Sequence, residues 1–274
     1  MRYVQEFLVA RKLDGLAPGT LEQYEMELRY LPPFLNKPTI EATKNDLRSY
    51  LAQYKDMAER TYMRKVSILK AFYAWTTYEA NIPNPMQNIK VPKEPTSMIK
   101  YLEDKEFEKF RYVKRSLRNR AIIELLVSSG MRVSELVSVN IDDLDMDNNE
   151  IKIVGKGNKE RFVHFSTIAK DKLMEYLDTR KDKDPALFIN KYGNRISIRA
   201  VEQQIKREAK LAGLRIEATP HTLRHTFATH LLMRGADIVF IAEEMGHVSL
   251  STTQKYAKLN LKARREMYKK CMVI

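Results

Sequence analysis

Four short segments carry side chains that could bind an anion or move a proton. SSGMRVSEL, residues 128–136, holds Arg132 and Glu135. Three positions apart on a helix, they would share a face; taken alone, that is an ordinary surface ion pair. GKGNKER, residues 155–161, lacks the spacing of a phosphate-binding P-loop and is followed by strand-like sequence. Lys156 there could touch a backbone phosphate or give up a proton, and a solvated basic turn fits the segment equally well. TPHTLRHTFATHLL, residues 219–232, places His221 and Arg224 on one helical face. Arginine is a planar donor to phosphate oxygens, and histidine is the side chain best suited to move a proton near neutral pH. His225 and His230 in the same run read as structural, with Leu223, Phe227 and Leu231 marking a buried face. In MGHVSLSTTQKYAKL, residues 245–259, Gly246 ends one helix and Ser251 to Gln254 have the form of a capping box opening the next. Tyr256 sits early in that helix between Lys255 and Lys258. As one of 14 tyrosines it means little by itself.

The elements that must position these side chains follow from periodicity. Residues 1–80 read as helical, a small bundle of about four helices. In 44–55, Leu47, Tyr50, Leu51 and Tyr54 fall on one face, and in 58–80 Tyr62, Val66, Leu69 and Tyr73 do the same. Thr20 is the expected N-cap of the run beginning LEQYEMELRYL. Pro83, Pro85, Pro92 and Pro95 then interrupt any helix, so 83–98 reads as an extended linker between domains 1–82 and 99–274. In the second domain, LEDKEFEKFRYV and RNRAIIELLVSSG read as helices and EIKIVGKGNKERFVHF as a β-hairpin, with mainly helical sequence from 166 onward.

Composition narrows the function. The chain of 274 residues has a formal net charge of +13, which calls for a polyanionic partner. The excess is uneven: 14 Lys+Arg against 11 Asp+Glu in residues 1–97, but 34 against 24 in 98–274, so the second domain should grip the polyanion. A single cysteine, Cys271, excludes an intramolecular disulfide and any cysteine-based zinc site, and reads as a packing residue. No apolar run approaches the roughly 20 residues of a membrane helix, and the N-terminus lacks a signal-peptide core. The expectation is a soluble, cytoplasmic protein with no membrane partner.

Taken together, the segments resemble the tyrosine recombinase, or lambda-integrase, family. Its signature of Arg, Lys, His-x-x-Arg, His or Trp, and Tyr is filled in chain order by Arg132, Lys156, His221, Arg224, His247 and Tyr256. The words GMRVSEL, GKGNKER, HTLRHTFATHLL and MGHVSLSTTQKY, with APGTLEQY and NPMQNIKVPK before them, are similar to the Xer branch over nearly the whole chain. The resemblance implies a mainly α fold: an N-terminal helical, SAM-like core-binding domain and an α+β catalytic domain with a small antiparallel sheet. It implies site-specific recombination of double-stranded DNA without metal or cofactor. Tyr256 would attack phosphorus, Arg132, Arg224 and His247 would hold the phosphate, His221 would act as general base, and Lys156 would protonate the leaving 5′-oxygen. Glu135 would orient Arg132 or His221. The two domains would close on the duplex as a clamp. The tail LNLKARREMYKKCMVI would dock on a neighbouring protomer of a homo- or hetero-tetramer. The target site, the role (dimer resolution, plasmid resolution or mobile-element integration and excision), and activation by a DNA translocase or accessory protein stay open.

Three rivals remain at the level of sequence. A non-catalytic architectural DNA-binding protein would have lost the reaction. A type IB topoisomerase would share the phosphotyrosyl chemistry and relax one duplex. A metal-dependent nuclease would use Asp142, Asp143, Asp145 and Asp147 of IDDLDMDNNE, but as an EF-hand the run fails at Asn148 and Val154, and it reads as a solvated turn.

Overall fold

The computed structural model describes residues 2–91, 99–154, 160–246 and Tyr268. The chain separates into two compact units, Met1–Ser97 and Met98–Ile274.

In the first unit, α1 (Arg2–Leu13), α2 (Pro18–Leu35), α3 (Lys44–Ala52) and α4 (Glu59–Ala80) pack around one core. Helix α2 starts earlier than expected. Pro18 occupies its first turn behind an extended Ala17, and Thr20 lies inside the helix rather than capping it. Proline's fixed φ suits that position, where its missing N–H is no loss. Helix α3 is closed by a capping box: Asp46 accepts from the Thr43 backbone N–H at 2.7 Å, and Thr43 Oγ1 accepts from the Asp46 N–H at 3.3 Å. Leu47, Tyr50 and Leu51 are buried, while Tyr54 falls beyond the helix end. Phe7 packs on Tyr24, Phe72 and Trp75 at ring separations of 5.5–5.6 Å. Met86, within the proline-rich stretch, is buried in this same core.

The second unit is built on α6 (Leu117–Ser129). Ala121, Ile122, Ile123, Leu125 and Leu126 are all buried, so this helix is apolar on nearly every side. Each of its large aliphatic side chains contributes about 1.5–3 kcal/mol by leaving water. Around it stand α5 (Asp104–Arg111), α7 (Val133–Ser138), α8 (Thr167–Leu177), α9 (Ile198–Leu211) and α10 (Pro220–Met233), while α11 (Ile238–Glu244) packs Ile241 beside Ala228 of α10 in a smaller cluster. The sheet is antiparallel in the order β1 (Leu144–Asp145), β2 (Glu150–Val154), β3 (Glu160–His164). Ile151, Ile153 and Val163 face the core.

Two further details depart from expectation. The hairpin gains a third strand, β1, cut from the acidic run. Its carboxylates shape turns: Asp143 accepts from the Asn140 N–H, and Asp145 from the N–H groups of Asp147 and Asn148. Residues 178–197 are also not helical. They hold two isolated bridges, Asn140 with Ala186 and Ile189 with Arg195, and Arg195 ties the segment to the carbonyls of Val137 and Val139 at 2.9 Å. Among the described residues no helix is long and apolar enough to cross a membrane.

Candidate functional site

The site grows from the end of α6. Gly130 closes that helix at φ 61°, and a Cβ there would sit 2.2 Å from the Phe227 ring. Only glycine fits both the left-handed conformation and the close approach. Two residues later, Arg132 stands at the N-cap of α7 rather than within a helix. Its backbone N–H donates to Glu135 Oε2 at 2.7 Å and its Nη1 to Glu135 Oε1 at 2.9 Å, while its Nη2 reaches Gly246 O at 3.2 Å. A guanidinium carries more N–H donors than these bonds use. The Arg132 side chain remains about a third exposed, at 34%.

Arg224 approaches from α10, whose start is fixed by Pro220 and by the Thr219 hydroxyl accepting from the Thr222 N–H. It is buried, and it donates from Nη1 to Gly130 O and from Nη2 to Met245 O. Arg132 and Arg224 therefore meet at the carbonyl end of α11, where the helix dipole favours positive charge. A third cation joins them. Arg161 of β3 donates to both oxygens of Glu135, at 2.9 and 3.1 Å.

Glu135 is thus the anionic centre of the cluster. Its burial alone would raise its pKa, but the bonds from Arg161 and from Arg132 prevail and hold the carboxyl below its ordinary value. Of the two partners expected for it, Arg132 is bonded; the other bonded partner is Arg161 and not His221. Arg161 lies in the same GKGNKER segment as Lys156, and nothing local to that segment points to its partner. Strand alternation, which puts 161 and 163 on the same face, was the available signal.

His221 is exposed one turn before Arg224 on α10. On the same helix His230 is half-buried, with Nε2 3.1 Å from Leu102 O and its ring edge-on to Phe107. Burial pushes its pKa down. Lys156, His247 and Tyr256 lie outside the described residues, as do the Ser251–Gln254 capping box and Cys271. What is described is their approach: Val154 and Glu160 end the strands on either side of Lys156, and Gly246, bonded to Arg132, precedes His247.

The fold is that of the tyrosine recombinases: a DNA-bound lambda integrase dimer, 18% identical, superposes with a TM-score of 0.80 over 95% of this chain and 96% of that one. Residues 2–80 match the phage integrase N-terminal SAM-like domain and residues 96–262 the phage integrase family. The tyrosine recombinase XerC of Thermodesulfovibrio yellowstonii is 38% identical over 98% of this chain and 95% of its own length. XerC of Staphylococcus aureus is 35% identical over 98% and 96%. Among solved structures, XerA recombinase is 31% identical with a TM-score of 0.60, covering 100% of this chain and 99% of that one. XerH bound to difH substrate in a pre-cleavage complex is 26% identical with a TM-score of 0.72, covering 90% and 78%. The chain belongs to the phage integrase family and is a Xer-type site-specific tyrosine recombinase.

Proposed function

We propose that the arginine cluster at the end of α11 is the phosphate seat of the recombinase. The observation that carries this is the convergence of Arg132 and Arg224 on consecutive carbonyls, Gly246 O and Met245 O. Two guanidiniums fixed in this way need little reorganisation when charge builds on the non-bridging oxygens of a pentavalent transition state. Their planar forks match the oxygens of a phosphate.

In this reading the Tyr256 phenolic oxygen bonds to the scissile phosphorus as the bond from phosphorus to the 5′-oxygen breaks. The phenolic proton passes to His221, and Lys156 supplies a proton to the departing 5′-oxygen. The products are a 3′-phosphotyrosyl link and a 5′-hydroxyl. A 5′-hydroxyl from a partner strand reverses the same steps, so no outside energy source is needed. His247 donates a hydrogen bond to the phosphate, and Glu135 keeps Arg132 in place.

Double-stranded DNA is the partner. The excess positive charge of residues 98–274 and the DNA-bound structures of similar recombinases support this. Domains 1–82 and 99–274, joined through 83–98, grip the duplex together in the cytoplasm. The basic tail at 259–274 docks on a neighbouring protomer of a tetramer assembled on paired sites. Support for the assembly comes from a similar fold, a lambda integrase tetramer bound to a Holliday junction.

The test is a nicked suicide duplex bearing the target site. The wild-type chain should trap a covalent adduct and Tyr256→Phe should trap none. DNA binding without an adduct would favour an architectural protein, and relaxation of one duplex without exchange between two would favour a topoisomerase.

A further inference from the structure

We infer that Arg161 is a positioning residue for strand cleavage, acting through Glu135 on Arg132 and through the 245–246 backbone that leads into His247. The inference rests on the cleavage reading above and adds a residue to it. Arg161 lies opposite Ile153 in the sheet, on the same face as the buried Val163. Strand alternation therefore turns a guanidinium toward the core side, an unfavourable place unless a specific partner waits there. The partner is Glu135, whose side chain is only 6% exposed against 18% for Arg161.

The sharing is complete at the level of atoms. Glu135 Oε1 accepts from Arg132 Nη1 and Arg161 Nη1, both at 2.9 Å. Oε2 accepts from the Arg132 backbone N–H at 2.7 Å and from Arg161 Nη2 at 3.1 Å. A carboxylate held by one fork cannot rotate without loosening the other, so Arg161 fixes the orientation in which Glu135 presents itself to Arg132. The same guanidinium reaches Met245 O at 3.5 Å. Gly246 makes room for it: a Cβ at 246 would lie 2.5 Å from Arg161 Cζ, and the residue holds φ 59°. Arg161 thus packs against the turn whose carbonyls Arg132 and Arg224 grip. Removing it leaves a buried carboxylate with a single cation and a gap beside that turn, while the phosphate-facing side of Arg132 keeps its chemistry.

The experiment compares Arg161→Gln, Arg161→Lys and Gly246→Ala with the wild type. It measures duplex affinity and the single-turnover rate of adduct formation at saturating DNA, with thermal unfolding as the check on folding. For Arg161→Gln the saturating rate should fall about tenfold to a hundredfold with affinity little changed, and Arg161→Lys should recover part of the rate. Gly246→Ala keeps the charge but displaces it, and should slow cleavage in a folded protein even if Arg161→Gln fails to fold. In a double-mutant cycle, Glu135→Gln with Arg161→Gln should lose less than the product of the two single losses, the part beyond Glu135→Gln alone reporting the contact with the 245–246 backbone. An unchanged saturating rate in the folded variants, fully multiplicative losses, or a loss confined to affinity would each overturn the inference while wild-type cleavage stands. No adduct from the wild type would overturn the cleavage reading and the inference with it.

Discussion

Arg132 and Arg224, distant in sequence, bond consecutive carbonyls: Arg132 Nη2 donates to Gly246 O at 3.2 Å and Arg224 Nη2 to Met245 O. The end of α11 is therefore a shared ledge that sets the two guanidiniums side by side just before His247. If both face one phosphate, Arg132→Gln and Arg224→Gln should each reduce the single-turnover cleavage rate by about 10²–10³. Lysine at either position should restore only part, because an ammonium lacks the fork. Quench-flow on a suicide duplex at saturating protein reads this directly. A loss below about threefold would remove that arginine from the phosphate seat.

Gly130 links this ledge to the core. Its carbonyl accepts from Arg224, its φ is positive, and Phe227 occupies the space a side chain would need. Gly130→Ala should destabilise the protein by about 1–3 kcal/mol, read from urea unfolding midpoints. It should also slow cleavage, since Arg224 moves with the carbonyl it holds.

Much of this scaffold was legible beforehand. The i, i+3, i+4 spacing in 44–55 and 58–80 marked the faces that α3 and α4 bury, because helical period survives whatever the tertiary neighbours are. The pairing of Arg132 with Glu135 was legible as a contact between near neighbours, although it forms across the N-cap of α7 and not along a helical face. The second fork on Glu135 was not: Arg161 arrives from a strand 26 positions away, and no local pattern records that contact. Strand β1 has only two residues, too few to show alternation, and the acidic run around it reads as a bare turn. Thr20 has a good capping side chain, but Pro18 offers the helix an earlier start.

Acid should weaken the second unit through His230. Burial lowers its pKa in the folded protein, so the unfolded chain binds the proton more readily. The stability this confers is present above the ordinary histidine value of about 6.5 and is lost as pH falls from there towards the lowered folded value. Urea midpoints measured between about pH 7 and pH 5 should drop, and His230→Gln should flatten that part of the curve. An equal slope in the variant would place the sensitivity elsewhere. Glu135 adds a loss at lower pH, as its depressed folded pKa is approached from above.

DNA affinity should fall steeply with salt, since phosphate contacts release counterions. About six such contacts would lower the binding constant by about a thousandfold between 50 and 200 mM salt. Substituting one contacting lysine or arginine should reduce the slope of log K against log salt by about one. Cleavage itself should persist in excess EDTA, the side-chain cations serving in place of an ion. Abolition by EDTA and recovery with magnesium would instead revive a metal-dependent nuclease.

The most direct measurement is the identity of the residue joined to DNA. Adduct trapped on a nicked suicide duplex should be digested with protease and nuclease and the linked peptide sequenced by mass spectrometry. The expected product is a peptide carrying a nucleotide 3′-phosphate on Tyr256. A link to any other side chain, or a 5′-phosphate at the junction, would contradict the assignment of Tyr256 as the nucleophile that leaves a free 5′-hydroxyl.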